Sequence, residues 1–366
     1  MIKIINSSIE IFKKNIEKKD LFLFGAGKRA TYVCETYDIG QNVKMIIDNS
    51  KGKIGSSVIY KNMQIPIISV DDFVKYVKNR GADNVIIMIT PAYYILPIVE
   101  QLDGIKELDN LECYIGRLLE DYYENQEIEF TKGENKIPKK IHYCWFGGKE
   151  IPQHLQNYIN GWKEKCPEYE IIRWDESNYN LSKNQYMKQA YENKKWGFVP
   201  DYARLDIIYN EGGIYLDTDV ELITTPDKLL NDRMFCGFNG YGIINLRLGF
   251  GAEKGNKLIR ELRDAYEGKK FCNDDGSLNL TACTWYQYPV FEKYRVKFNN
   301  TYQNINGNVI YPSEVLAPLG ASGCANNYTA NTISSHHAEL SWINSEEKNE
   351  YERFRKTIMK RILSYK

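Results

Sequence analysis

Short apolar runs alternate with amphipathic stretches through the first third of the chain. LFLFGAG at 21–27 is an apolar run that ends in glycines, and the helix-compatible KRATYVCETYDI follows it. KMIIDN at 44–49, the helix-like VDDFVKYVKNRG at 70–81 and NVIIMIT at 84–90 continue the alternation. Such runs predict buried strands joined by helices, hence a parallel α/β sheet, with three or four strands in view. The pattern breaks at 124–140, ENQEIEFTKGENKIPKK, where charge, Gly and Pro predict a domain boundary. A second α/β region then opens at IHYCWFG (141–147). It runs through YEIIRWD (169–175), a helix in VPDYARLDIIYNEGG (199–213) and the strand-like IYLDTDVEL (214–222). Long Tyr-, Asn- and Gly-rich loops follow to about 335, and the tail EEKNEYERFRKTIMKRILSYK predicts an amphipathic helix. The predicted division is a small domain over 1–130 and a larger one over 131–366.

Composition narrows the class. A chain of 366 residues suits about two domains at roughly 150 residues each. Basic and acidic residues balance at 48 each, which argues against bulk capture of nucleic acid. The eight cysteines are scattered with no C-x-x-C pair, and the first twenty residues are too polar for a secretory signal. Reduced thiols and a cytoplasmic location are expected. The apolar runs fall far short of a membrane span.

Two motifs carry candidate chemistry. In GAGKRA, Gly25, Gly27 and Ala30 match G-x-G-x-x-A between a strand and a helix, and Asp48 ends the next strand where a ribose-binding acid would sit. The same residues also suit a tight turn that binds nothing. The second motif is VPDYARLDIIYNEGGIYLDTDVEL. Pro200 suits a first helical turn and Gly212–Gly213 suit the helix end. Asp201 and Arg204 are three apart, hence neighbours on one helical face, where a surface ion pair is the simplest reading of an isolated pair. Here the helix runs through Gly-Gly directly into the strand carrying Asp217 and Asp219. Two aspartates one residue apart are ordinary turn residues when taken alone. Beside Asp201 and Arg204, at the carboxyl end of a strand, crowded carboxylates instead call for a hard divalent cation.

IPKKIHYCWFGG, VPDYARLDIIYNEGGIYLDTDVEL and SSHHAELSW together resemble the DXD-containing sugar transferases of glycosyltransferase family 32, which includes yeast mannosyltransferases and bacterial capsule enzymes. The core is also similar to the glucosylating domain of large bacterial toxins. The resemblance covers roughly 137–345. It implies an α/β fold with a GT-A catalytic domain, preceded here by a small Rossmann-like domain. It further implies a retaining hexosyltransferase, Mn²⁺ or Mg²⁺, and a nucleotide-sugar donor, with UDP favoured over GDP on the toxin-like Trp145 motif. By position, Asp219 would ligate the metal, with Asp217 and His337 as further metal ligands. Asp217 would also contact ribose and sugar, and Asp201 and Arg204 would hold sugar hydroxyls and the diphosphate side. Trp145 would stack on the base, against the alternative of a core Trp. Trp342 and His337 would lie on a loop over the diphosphate. LTACTWYQYP (280–289) departs from the T-G-P-like turn of relatives. The implied acceptor is a glycan, lipid-linked in capsule assembly.

Two rival functions remain in the sequence. GAGKRA could lead an NAD-dependent oxidoreductase, and the DXD could serve a non-catalytic, metal-dependent sugar-binding protein. The tail offers six basic residues and no acid over 353–366, with Phe354, Ile358 and Ile362 on one stripe. It reads either as a helix docked on the catalytic domain or as a peripheral contact with anionic membrane.

Overall fold

The structure, a computed structural model, describes residues 1–122, 126–320, 322–323, 325, 327–338 and 345–364. It divides into two compact units. One comprises 1–124, 321–325 and 343–366, and the other comprises 125–320 and 326–342. The first junction lies at the edge of the polar linker. The chain's end is assigned differently from the sequence division, which kept everything after 131 together.

The first unit is built on strands β1 (Lys3–Ile5), β2 (Asp20–Phe24), β3 (Val43–Ile47), β4 (Ser57–Tyr60), β5 (Met63–Ile68), β6 (Val85–Ile89) and β7 (Glu112–Ile115). Their order is β1-β7-β6-β2-β3-β5-β4, parallel throughout except for the β4–β5 hairpin at one edge. β2 and β6 form its centre, and every residue of β6 is buried, as expected of a parallel sheet covered on both faces. The three or four strands visible in sequence were the apolar central ones. KII, ECYI and the half-exposed hairpin carry too few apolar residues to stand out.

From β2 the chain steps to β3 on one side and later to β6 on the other, so strand order reverses at the GAGKRA loop. Asp48 is committed to that loop. One of its oxygens accepts the Ala26 N–H at 2.8 Å and lies 3.1 Å from Lys53, and the other accepts the Ser50 N–H at 2.8 Å. These contacts lower its pKa against the opposing pull of burial. Gly25 has φ +103°, and a Cβ there would lie 2.8 Å from Pro91. The acid expected at a ribose therefore holds its own turn, and Gly25 serves close packing.

The terminal helix Ser345–Ser364 belongs to this unit because its apolar stripe is used here. Phe354, Ile358 and Ile362 join the core built by Phe22, Ile87, Val99 and Cys113. Arg361 donates to Asp103 at 2.7 Å and to the Ile2 carbonyl at 2.9 Å. The helix docks as the non-membrane reading expected, but on the first unit and not on the second.

The second unit holds β8 (Lys140–Cys144), β9 (Glu170–Trp174), β10 (Gly213–Tyr215), β11 (Val220–Leu222), β12 (Met234–Gly240), β13 (Ile243–Ile244), β14 (Phe250–Ala252), β15 (Gln303–Ile305), β16 (Asn308–Tyr311) and β17 (Ser334–His336). Seven of these form the path β15-β16-β12-β14-β10-β8-β9, with β13 paired to β12. β9, β8 and β10 run parallel, while β14 is antiparallel to both β10 and β12. Alternate residues feed two cores, one on each face: Tyr215, Met234, Cys236 and Ile310 on one, and Ile214, Leu216, Phe235 and Val309 on the other. The expected α/β class is what both units show. The segment entering this unit is anchored to it: Gln126 bonds the Asn300 carbonyl, Phe130 stacks on Tyr311, and the Lys136 and Ile137 N–H groups donate to Leu230 O. A separate pair, β11 with β17, lies antiparallel with Val220 opposite His336.

Candidate functional site

The site is assembled by one helix, the strands β10 and β17, and the turn that follows β10. The helix Pro200–Glu211 starts with proline in its first turn and stops at Gly212, φ +67°. Gly213 follows at φ +103°, where a Cβ would sit 2.9 Å from both His142 Nε2 and the Lys140 carbonyl. Only glycine lets β10 come this close to β8. His142 is fully buried, with Nε2 against the Gly212 carbonyl at 2.9 Å and Nδ1 accepting from the Trp174 indole at 3.1 Å. The imidazole is thus neutral, and burial pushes its pKa down to about 4. The Leu216 N–H extends the β8–β10 ladder to His142 O, and the chain then turns, Val220 N–H to Asp217 O at 3.1 Å. Asp217 and Asp219 sit in that turn at the carboxyl edge of the sheet. They are turn residues, and they also converge on a third group.

That third group is His336. Asp217, Asp219 and His336 each offer a ligand atom, all within 4.8 Å of one another, and His336 Nε2 lies 3.4 Å from Asp219 Oδ1. The β11–β17 pairing delivers it, since Val220 faces His336 and the His337 N–H donates to the Asp219 carbonyl. The resemblance assigned His337 instead. Its Nε2 lies 2.9 Å from Glu221 Oε2, and its ring stacks on Tyr158 at 4.8 Å. Neighbours along an extended chain point to opposite sides, so a shift of one residue exchanges the two.

Asp201 and Arg204 form no surface pair. Asp201 is fully buried and Arg204 is 2% exposed. Arg204 Nε donates to Pro200 O at 2.9 Å, Nη2 to Asp201 at 3.2 Å, and Nη1 lies 3.2 Å from Asp217 Oδ1, with the guanidinium over the Tyr215 ring. Burial opposes the Arg204 charge, but Asp217, Tyr215 and Asp201 outweigh it and hold its pKa above the ordinary value. One guanidinium therefore ties the buried helix to the first aspartate of the turn. Sequence reasoning missed Arg247, whose Nη2 lies 2.9 Å from Asp201 Oδ1. It stands in the short 3-10 turn Leu246–Leu248 between two buried leucines, with no spacing signal to mark it.

Trp145 directly follows β8, on the same carboxyl edge as Asp217 because Tyr215 pairs with His142 in the parallel ladder. It is half-buried, its indole N–H donates to Lys149 O at 2.7 Å, and it is no core residue. Trp342 lies outside the described residues.

The grouping brings two carboxylates and an imidazole together beside a buried Asp–Arg pair. Carboxylate and imidazole donors fit a divalent cation, while the two nearby guanidiniums are paired with Asp201 and Asp217.

Residues 152–235 match the family model described as "Glycosyltransferase sugar-binding region containing DXD motif". The chain is 28% identical to "Subversion of eukaryotic traffic protein A" of Legionella pneumophila subsp. pneumophila, over 38% of this chain and 27% of that protein. It is 34% identical to "Inositol phosphoceramide mannosyltransferase 3" of Schizosaccharomyces pombe, over 31% of this chain and 32% of that protein. The chain thus spans about a third or less of the curated relatives' length. Among solved structures, "PaToxG Glycosyltransferase" aligns over 61% of this chain and 86% of its own, at 17% identity and a TM-score of 0.34. The segment that matches the family model holds Asp201, Arg204, Asp217 and Asp219 and leaves out Trp145, Arg247 and His336.

Proposed function

We propose that the second unit is a GT-A glycosyltransferase that moves a hexose, with retention, from a nucleotide-sugar donor to a glycan. The observation that carries this reading is the convergence of Asp217, Asp219 and His336 at the carboxyl edge of the sheet, beside the buried Asp201–Arg204 pair. The family match over 152–235 supports the same chemistry. Asp217, Asp219 and His336 would hold the divalent ion, and a set of two carboxylates and an imidazole favours Mn²⁺ over Mg²⁺. Bound there, the ion would supply Lewis-acid stabilisation of the departing diphosphate. Arg204, fixed by Asp201, Asp217 and Pro200 O, would add preorganised positive potential at the same place. Trp145 would stack on the base.

We take UDP-sugars as the first donors to try, on the toxin-like Trp145 motif. GDP-mannose stands beside them because the fission-yeast relative is named a mannosyltransferase. The acceptor assigned is a glycan of bacterial surface or capsular polysaccharide, assembled on a lipid carrier at the cytoplasmic face; resemblance to capsule enzymes is its support. No helix among the described residues is long and apolar enough to cross a membrane. Membrane contact through the tail would rest on its basic face alone, since the apolar stripe is packed inside the first unit. The oxidoreductase reading loses its ribose acid, because Asp48 is bonded to the loop it would have to serve. The first unit is then an accessory module. A screen of nucleotide-sugar hydrolysis with Mn²⁺ and with chelator tests the reading. Nucleotide release that needs Mn²⁺ supports it, and metal-dependent sugar binding without turnover would leave a lectin-like protein.

A further inference from the structure

Asp201 gives the same oxygen, Oδ1, to two guanidiniums: Arg204 at 3.2 Å and Arg247 at 2.9 Å. Arg247 is held from behind. Its Nη2 also donates to Gly197 O at 3.1 Å, and its backbone N–H donates to the Asn245 side chain at 3.0 Å. Yet Asp201 Oδ2 and Arg247 Nε are both buried with no hydrogen-bond partner among the described residues. The Tyr186 and Tyr266 hydroxyls and both ends of the Gln287 amide share that condition. The two tyrosine rings pack 5.3 Å apart, and the Asp201 charge acts on both phenols.

A clamp serving stability alone would engage both carboxylate oxygens and the Nε–H. Leaving a buried acceptor and a buried donor idle is unfavourable, and most so for charged groups. A hydroxyl donates and accepts, so it is the ligand group that satisfies both signs. We propose that Arg247 is a positioning residue for the sugar end of the donor: with Arg204 it pins Asp201 Oδ1, so that Oδ2 remains for a hydroxyl of the transferred sugar. This rests on the glycosyltransferase reading. Arg247 lies outside the segment that matches the family model.

The test uses Arg247→Gln and Arg247→Lys in the full chain, titrated calorimetrically with Mn²⁺ present. The probes are UDP against UDP-glucose and GDP against GDP-mannose, and the pair the wild type binds is followed. In Arg247→Gln, the nucleoside diphosphate should bind within about twofold of wild type, while the nucleotide sugar weakens by about tenfold or more. Arg247→Lys should recover part of the sugar-dependent affinity, and it decides alone if the glutamine variant does not fold. Equal losses for both ligands would make Arg247 a structural clamp and overturn the proposal, as would no loss for either. A wild type that binds neither pair overturns the glycosyltransferase reading, and the proposal with it.

Discussion

A single step along a strand separates His336 from His337 and decides which imidazole reaches the aspartates. His336→Ala should therefore weaken Mn²⁺ binding by about tenfold or more, while His337→Ala spares it; calorimetric titration of the metal separates them. The converse result would return the site to the assignment the resemblance implies. Trp145 belongs to the same scale. Its ring stands on the carboxyl edge with a local bond to Lys149 O, so Trp145→Ala should weaken nucleotide binding by about 1–3 kcal/mol, the range for base–aromatic stacking. Unchanged affinity would make its ring a loop anchor. The DXD pair and Asp201–Arg204 were legible because helix, Gly-Gly stop and strand are contiguous and their spacing is fixed by local geometry. His336 and Arg247 were not, because strand register and loop conformation over long sequence separations put them there.

Among the elements, the β8–β10 contact sets the position of the aspartates. Gly213 cannot carry a side chain there, and Gly213→Ala should cost about 1–3 kcal/mol for the backbone alone, read from urea unfolding. His142 locks the same contact in its neutral form. Its folded pKa is about 4 against 6.5 for the unfolded side chain. The folded state thus binds fewer protons between these values, so its contribution is whole above pH 6.5 and falls as pH drops towards 4. The loss is about 3 kcal/mol. His142→Gln removes that titration, so the stability gap between wild type and variant should shrink from pH 7 to pH 4.5. A gap independent of pH would mean that the imidazole is not held neutral. The central strands of both sheets were legible from apolar runs, whereas β11 and β17 are three residues each and owe their place to one another.

At the scale of the molecule, the second unit carries the whole candidate site, and its inward-facing start at Gln126 defines where it can be cut. A fragment over 126–342 should fold and keep metal-dependent donor hydrolysis. Without residues 343–366 the first unit should lose stability, because Phe354, Ile358 and Ile362 leave its core. The linker was legible as a break in composition. The return of the chain's end to the first unit was not, since an amphipathic stripe states that it is buried and not against what. The role proposed for Asp217, Asp219 and His336 is to hold a divalent ion for nucleotide-sugar chemistry. The most direct measurement is donor hydrolysis by the full chain across UDP- and GDP-sugars, with Mn²⁺, with chelator, and in Asp219→Asn. The expected result is Mn²⁺-dependent release of nucleotide that chelator abolishes and that Asp219→Asn lowers by about 10²–10³-fold with the fold intact. Release that persists in chelator, or full activity in Asp219→Asn, would contradict it.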